Sequence, residues 1–181
     1  MSNVDKIVHS YQHIWKTKSS YFSWLRGVLR AGWSKSPIKL DFIKSKRIKI
    51  NNPNPRGRVK TVWGGKCSQC KQDFILKDLQ VDHMKPCGSL IKEDDIQGFV
   101  ERLLLCTGED LQFTCKPCHG IITYSEKHNI SYEEAAIAKK TIAICKGDVK
   151  LWLTNKGITP ASNAKSRRQQ VLEVLKNENS S

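Results

Sequence analysis

No apolar run in this sequence approaches the length needed to cross a bilayer, and its first residues lack the apolar core of a signal peptide. A soluble, cytoplasmic protein is the expectation. No basic amphipathic helix of the insertion type is visible either, which argues against a membrane-surface role. Apolar residues make up only 39% of the chain, a low share for one tightly packed globule and one that fits basic arms around a smaller core. Carboxylates are scarce at the N-terminal end, where residues 1–66 hold 2 against 15 Lys and Arg. No internal repeat is present. With no secretory signal and an odd count of 7 cysteines, a disulfide framework is disfavoured, and paired CxxC motifs point to metal instead.

The 181 residues carry a net charge of +14, unevenly spread. Residues 67–125 hold 6 basic and 9 acidic side chains, and residues 126–181 hold 10 and 6. A slightly acidic centre, suited to a cation, lies between basic flanks. That is the layout of a polyanion binder whose chemistry is central and whose grip is peripheral.

Periodicity predicts helix over residues 5–33, with Trp15, Trp24 and Trp33 as packing residues, base stacking being the alternative for one of them, and His9 and His13 on the surface or in packing. Ser34-Lys-Ser-Pro37 breaks it. Alternating apolar and basic residues over 40–50 predict an irregular strand. Residues 51–58 read as a loop, either lying along a phosphate backbone or acting as a solvated hinge. Short strands are expected before Cys67, at Phe74-Ile-Leu76 and at Leu79-Gln-Val81, then a loop over 84–89 and a helix from Glu93 to Leu105. Leu111–Thr114 is a small strand or turn, and a helix begins around Cys115-x-x-Cys118. Ser131-Tyr-Glu-Glu134 is a capping box opening another helix. Asp148 caps a helix containing Leu151-Trp152-Leu153. Thr159-Pro160 starts a last one, the two forming a plain helical hairpin in preference to a weakly signalled helix-turn-helix, and the last five residues are expected to be disordered.

Cys67, Cys70, Cys115 and Cys118 supply four thiolates with no open position, the donor set of a structural zinc. Cys106 and Cys145 read as ordinary buried thiols, while Cys87, beside Pro86 and Gly88, is the spare cysteine that competes for the ion if any does, although it lacks a CxxC partner. The long gap between the two pairs encloses Asp82-His83, so binding zinc draws that step toward His119. One carboxylate and one imidazole leave a divalent ion with open positions, as hydrolysis needs, and a neutral imidazole beside it can deprotonate water. Neighbouring side chains on a strand point to opposite faces, so for Asp82 and His83 to share a site the strand must end or kink there. The bland alternative is that Asp82 and His83 close the knuckle while His119 caps a helix.

The order Cys67-x-x-Cys70, Val81-Asp82-His83, Glu109-Asp110-Leu111-Gln112, Cys115-x-x-Cys118-His119 and Thr123 resembles the zinc-stabilised HNH endonucleases, the ββα-metal nucleases, particularly those of bacteriophages. Trp24-Leu-Arg-Gly-Val-Leu-Arg30 and the run from Val81 to Leu90 are also similar to phage members. The motifs cover about residues 60–125. The resemblance implies an α+β fold: a small ββα-metal core with a four-Cys structural zinc, flanked by mainly helical extensions. It implies His83 as general base, Asp82 and His119 as ligands of a catalytic Mg²⁺ or Mn²⁺, and Asp110 in the position of the family's middle Asn, which orients the loop carrying the base. Asp keeps the acceptor but loses the amide donor, so Asp110 braces the loop or joins the metal shell. The family's Lys before the Thr is Ile122 here, which removes one phosphate contact.

The expected organisation is a basic, partly helical DNA-binding extension over 1–59, the nuclease core over 60–128 and a helical DNA-binding or packing region over 129–181. The expected partners are double-stranded DNA and, by resemblance, other phage DNA-processing proteins in the host cytoplasm. A phage homing or genome-processing endonuclease is the leading expectation. A non-catalytic, zinc-dependent DNA-binding or regulatory protein is the competing one.

Overall fold

A computed structural model describes residues 1–55 and 58–179. They form a mixed α+β chain, mostly helical, with two small antiparallel sheets. No helix among them is long and apolar enough to cross a membrane. The chain divides into two compact units, Met1–Lys116 and Pro117–Ser181.

In the first unit the expected N-terminal helical span is two helices, α1 (Asn3–Ser10) and α2 (Lys18–Ser34). The interruption is chemical. Thr17 and Ser20 exchange side-chain bonds with each other's backbone N–H, at 3.1 and 3.3 Å, and so cap a new N-terminus. The strand expected over 40–50 is corrected to helix for most of its length: α3 runs Pro37–Lys46, and only Ile48–Asn51 is strand β1. Pro37 breaks one helix and opens the next, because its fixed φ suits the first helical turn and its missing N–H is not needed there. Phe42, on α3, is buried with its ring 5.0 Å from that of Phe113. The apolar–basic alternation followed a tertiary contact made from a helix.

β1 pairs antiparallel with β2 (Thr61–Lys66), which pairs with β3 (Asp73–Ile75). The connection between β1 and β2 is the expected loop, of which Arg56 and Gly57 lie outside the described residues. At Gly64 a Cβ would stand 2.5 Å from both the Phe74 carbonyl oxygen and the Ile50 Cδ1. Backbone sits on one side of that space, so Gly64→Ala is expected to destabilise the chain by about 1–3 kcal/mol, read as a lowered urea midpoint; an unchanged midpoint would contradict the packing described.

A short 3-10 turn (Leu76–Asp78) leads into β4 (Leu79–His83), which pairs antiparallel with β5 (Leu111–Cys115). Between them lie α4 (Asp95–Leu104) and a second 3-10 turn at Gly108–Asp110. Phe22 of α2 and Phe99 and Leu103 of α4 are buried. The loop ahead of α4 is pinned from three sides. Arg26 donates to the Leu90 carbonyl at 2.9 Å, Arg102 to that of Cys87 at 2.9 Å, and the Asp95 carboxylate accepts from Ile91 and Lys92.

α5 (Lys116–His128) follows β5 directly. The second unit then continues through α6 (Tyr132–Lys146), α7 (Val149–Asn155) and α8 (Ala164–Asn179). The Ser131–Glu134 capping box and the Asp148 cap form as expected. The last helix starts at Ala164 rather than at Thr159-Pro160, because the Asn163 side chain accepts from the Ser166 N–H at 2.8 Å and caps it there. Of the five terminal residues expected to be disordered, Asn177–Asn179 continue α8, and the last two lie outside the described residues. Leu153, Val171 and Leu175 form its core, with Ile137, Ile144, Trp152 and Ile158 packed around them.

Candidate metal centre and histidine site

The knuckle is built by β2 and the turn after it. Cys67 N–H donates to the Gln72 carbonyl at 2.9 Å, Lys71 N–H to that of Cys67 at 3.0 Å, and Lys71 takes a positive φ of 60° to close the turn. Ser68 N–H donates to the Phe113 carbonyl at 2.8 Å, which ties the knuckle to β5, the strand that ends in Cys115. The sulfurs of Cys67, Cys70, Cys115 and Cys118 all lie within 4.8 Å of one another. Zn–S bonds of about 2.3 Å in a tetrahedron require sulfurs about 3.8 Å apart, so the cluster fits zinc with little movement. All seven cysteines are free thiols.

The electrostatics agree with that reading. Burial pushes the Cys67 thiol up, but the backbone N–H groups of Cys115, Cys70 and Gln69 aimed at its sulfur outweigh burial and bring it down from 9.0 to about 7. The Cys115 N–H reaches that sulfur at 3.3 Å. N–H groups converging on sulfur stabilise a thiolate, the form that binds metal. Among the described residues this is the only group of three or more Cys, His, Asp or Glu ligand atoms gathered so closely.

Asp82 and His83 are the last two residues of β4, in register with Gln112 and Leu111. The ladder stops at His83, and the next N–H, that of Met84, donates to the Asp110 carbonyl at 2.8 Å. Asp110 therefore braces the strand end through its backbone, a bond Asn and Asp make equally well. Its carboxylate turns back to accept from the Thr107 N–H and Oγ at 2.8 and 3.0 Å. Those bonds, the Thr107 N–H first, hold the Asp110 carboxyl below the usual carboxylate range.

The His83 ring is half-buried. It packs against the buried Trp33 indole with centroids 4.4 Å apart. Nε2 is 3.1 Å from the Leu103 carbonyl, which can only accept, so in the neutral ring the proton sits on Nε2 and the lone pair on Nδ1. Nδ1 faces the Cys87 thiol at 3.5 Å. Burial pushes the His83 imidazolium down from the ordinary 6.5, against the Leu103 hydrogen bond and the Asp82 and Asp110 carboxylates, which favour the charged ring. Beside the ring a cavity of about 240 Å³ is lined by His83, Lys85, Arg102, Cys106 and Asp110, among others. His119 lies in the first turns of α5, half-buried.

Sequence reasoning found the cysteines and the strand-end histidine, and it placed Trp33 in packing without knowing what it packs on. It missed the Leu103 carbonyl, which leaves no mark in a sequence, and the Cys87 contact, for which the four-residue spacing to His83 was the only signal. Comparisons with protein-family models, with curated proteins and with solved structures give no match to this chain.

Proposed function

We propose that the protein is a metal-dependent DNA endonuclease of the HNH, ββα-metal type, of the kind phages use for homing or genome processing. The observation that carries this reading is His83. A strand-end imidazole, kept neutral by burial and fixed as the Nε2–H tautomer, stands next to a carboxylate and beside a cavity. The chain order β4, β5, α5 and the four-cysteine cluster support it. The zinc is structural. A divalent ion such as Mg²⁺ or Mn²⁺, for which the family resemblance names Asp82 and His119 as ligands, would supply positive charge to the reacting phosphodiester and its leaving oxygen.

The chain's own part is proton handling and positioning. Nδ1 of His83 takes a proton from water as the water oxygen bonds to phosphorus and the P–O bond to the leaving oxygen breaks. The Leu103 carbonyl holds the ring through Nε2–H and favours the cation formed. Trp33 fixes the ring plane, and the Asp110 carbonyl fixes the strand end. For water to reach Nδ1 the Cys87 thiol must swing away, and the Arg102 carbonyl at 3.7 Å offers it a second acceptor. Cys87→Ala is thus expected to retain cleavage and full zinc content, measured by nicking and elemental analysis. Loss of zinc in that variant would move Cys87 into the metal site.

One observation favours a second reading, a non-catalytic zinc-dependent DNA-binding protein: both His83 ring nitrogens have partners within the protein. The two separate in a nicking assay on supercoiled plasmid with Mg²⁺ or Mn²⁺, comparing wild type with His83→Ala. Cutting by the wild type alone supports the nuclease. If neither protein cuts while both bind DNA, the enzyme reading is lost.

A further inference from the structure

The nuclease reading leaves open which surface grips the nucleic acid, and the β1–β2 hairpin carries an answer. Its register sets Lys49 opposite Trp63 and Asn51 opposite Thr61, with Ile50 and Val62 on the other face. Arg47 precedes Lys49 by two residues, so strand alternation puts it on the Lys49 face. The two cations converge on one ring, with the Arg47 guanidinium carbon and the Lys49 ammonium each 4.2 Å from the Trp63 centroid. Lys49 and Trp63 are exposed. On the opposite face Ile50 lies over Gly64 and closes against the β2–β3 pair, so the Trp63 face is the open one.

Along the chain the hairpin lies in a basic stretch, while Asp73 and Asp78 line a cavity beside Lys49 away from the Trp63 ring. Between Asp41 and Asp73 the sequence holds nine Lys and Arg and no Asp or Glu. A solvated basic surface keeps its cations apart. Here two like charges gather on one indole, held by cation–π attraction at 4.2 Å each, and a polyanion is the ligand that adds to that arrangement rather than opposing it. The ring also removes rotamer freedom from two long side chains before any ligand arrives. Past Gly64, where the β3 pairing ends, Lys49–Asn51 and Thr61–Trp63 form a two-stranded ribbon, which has the width to enter a DNA major groove, and backbone-directed cations need no base contact.

We infer that the Arg47–Lys49–Trp63 face of the β1–β2 hairpin is a preorganised contact for the phosphate backbone of double-stranded DNA. This rests on the DNA-directed reading above but not on catalysis, and the test is chosen accordingly. Binding of a labelled mixed-sequence DNA duplex is followed by fluorescence anisotropy across a salt series, in EDTA so that nothing is cut. Circular dichroism and zinc content check that each variant is folded. Arg47→Ala/Lys49→Ala is expected to bind at least tenfold more weakly at low salt. Two lost phosphate contacts are expected to lower the slope of log K against log salt by about 1.8. Trp63→Ala keeps both charges and loses the ring, so affinity falls several-fold with the slope nearly unchanged, and Trp63→Phe restores most of it. A folded double variant that binds with wild-type affinity and slope overturns the inference. So does tighter binding of a single strand than of the duplex, which would assign the face to unpaired nucleic acid. If the nicking assay fails while these shifts appear, the nuclease reading falls and the binding face stands.

Discussion

His83→Ala is expected to slow plasmid cleavage by about 10²–10⁴-fold, the usual contribution of a positioned general base, while DNA affinity and zinc content stay at the wild-type level. The three readouts together matter. A change in affinity would make His83 a binding residue, and a loss of zinc would make its role architectural. His83 is packed on Trp33 and bonded to Leu103, so part of any loss can come from a loosened strand end. His83→Gln keeps a donor for the Leu103 carbonyl and lacks the base; it is expected to recover stability but not rate. The pH dependence follows from the same environment. Burial lowers the His83 pKa from 6.5, and a divalent cation beside it pushes the same way. In the proposed mechanism the neutral ring is the base, so the single-turnover rate is expected to rise with pH through a midpoint below 6.5 and then flatten. A midpoint well above 6.5 would assign the titration to another group.

Cys67→Ser is expected to have the larger structural effect, abolishing zinc binding and with it the folded state of the region around β2 and β5. Cys67 is fully buried, and its sulfur receives the Cys115 N–H and sits within reach of three other thiols. Structural zinc supplies apparent binding free energies of about 10–16 kcal/mol in small zinc modules, against a total domain stability of roughly 5–15 kcal/mol. The loss therefore exceeds what a small sheet can absorb. Elemental analysis is expected to fall from one zinc per chain to almost none, with loss of the cooperative thermal transition of the first unit. Retained zinc with an unchanged transition would show that the cluster is not the metal site.

How much of this was legible in the sequence depended on whether the deciding interaction was local. Thr17 with Ser20 and Ser131 with Glu134 are three residues apart, and such caps place a helix start within a residue. The second was read, while the first was passed over because apolar periodicity ran through it on both sides. The α3 helix was missed for the opposite reason. Its alternating apolar residues resemble a strand, and only Phe113, seventy-one positions away, explains why Phe42 is buried. The four cysteines were legible because zinc demands a fixed donor set at fixed spacing. His83 was legible as a residue but not as an environment: the atom that sets its tautomer is a backbone carbonyl on α4. The position of Asp110 was legible and its manner of acting was not, since it braces the strand end through its main chain.

The proposed nuclease divides labour between a zinc that holds the knuckle and a separate divalent ion that serves hydrolysis. That division is tested most directly by dialysing the protein against EDTA, counting the metal that remains, and then adding Mg²⁺ or Mn²⁺ in the presence of supercoiled plasmid. One zinc per chain is expected to survive dialysis, the dialysed protein to bind plasmid without cutting it, and either ion to restore nicking. A folded, zinc-loaded protein that binds the plasmid and leaves it intact with every divalent ion would contradict it.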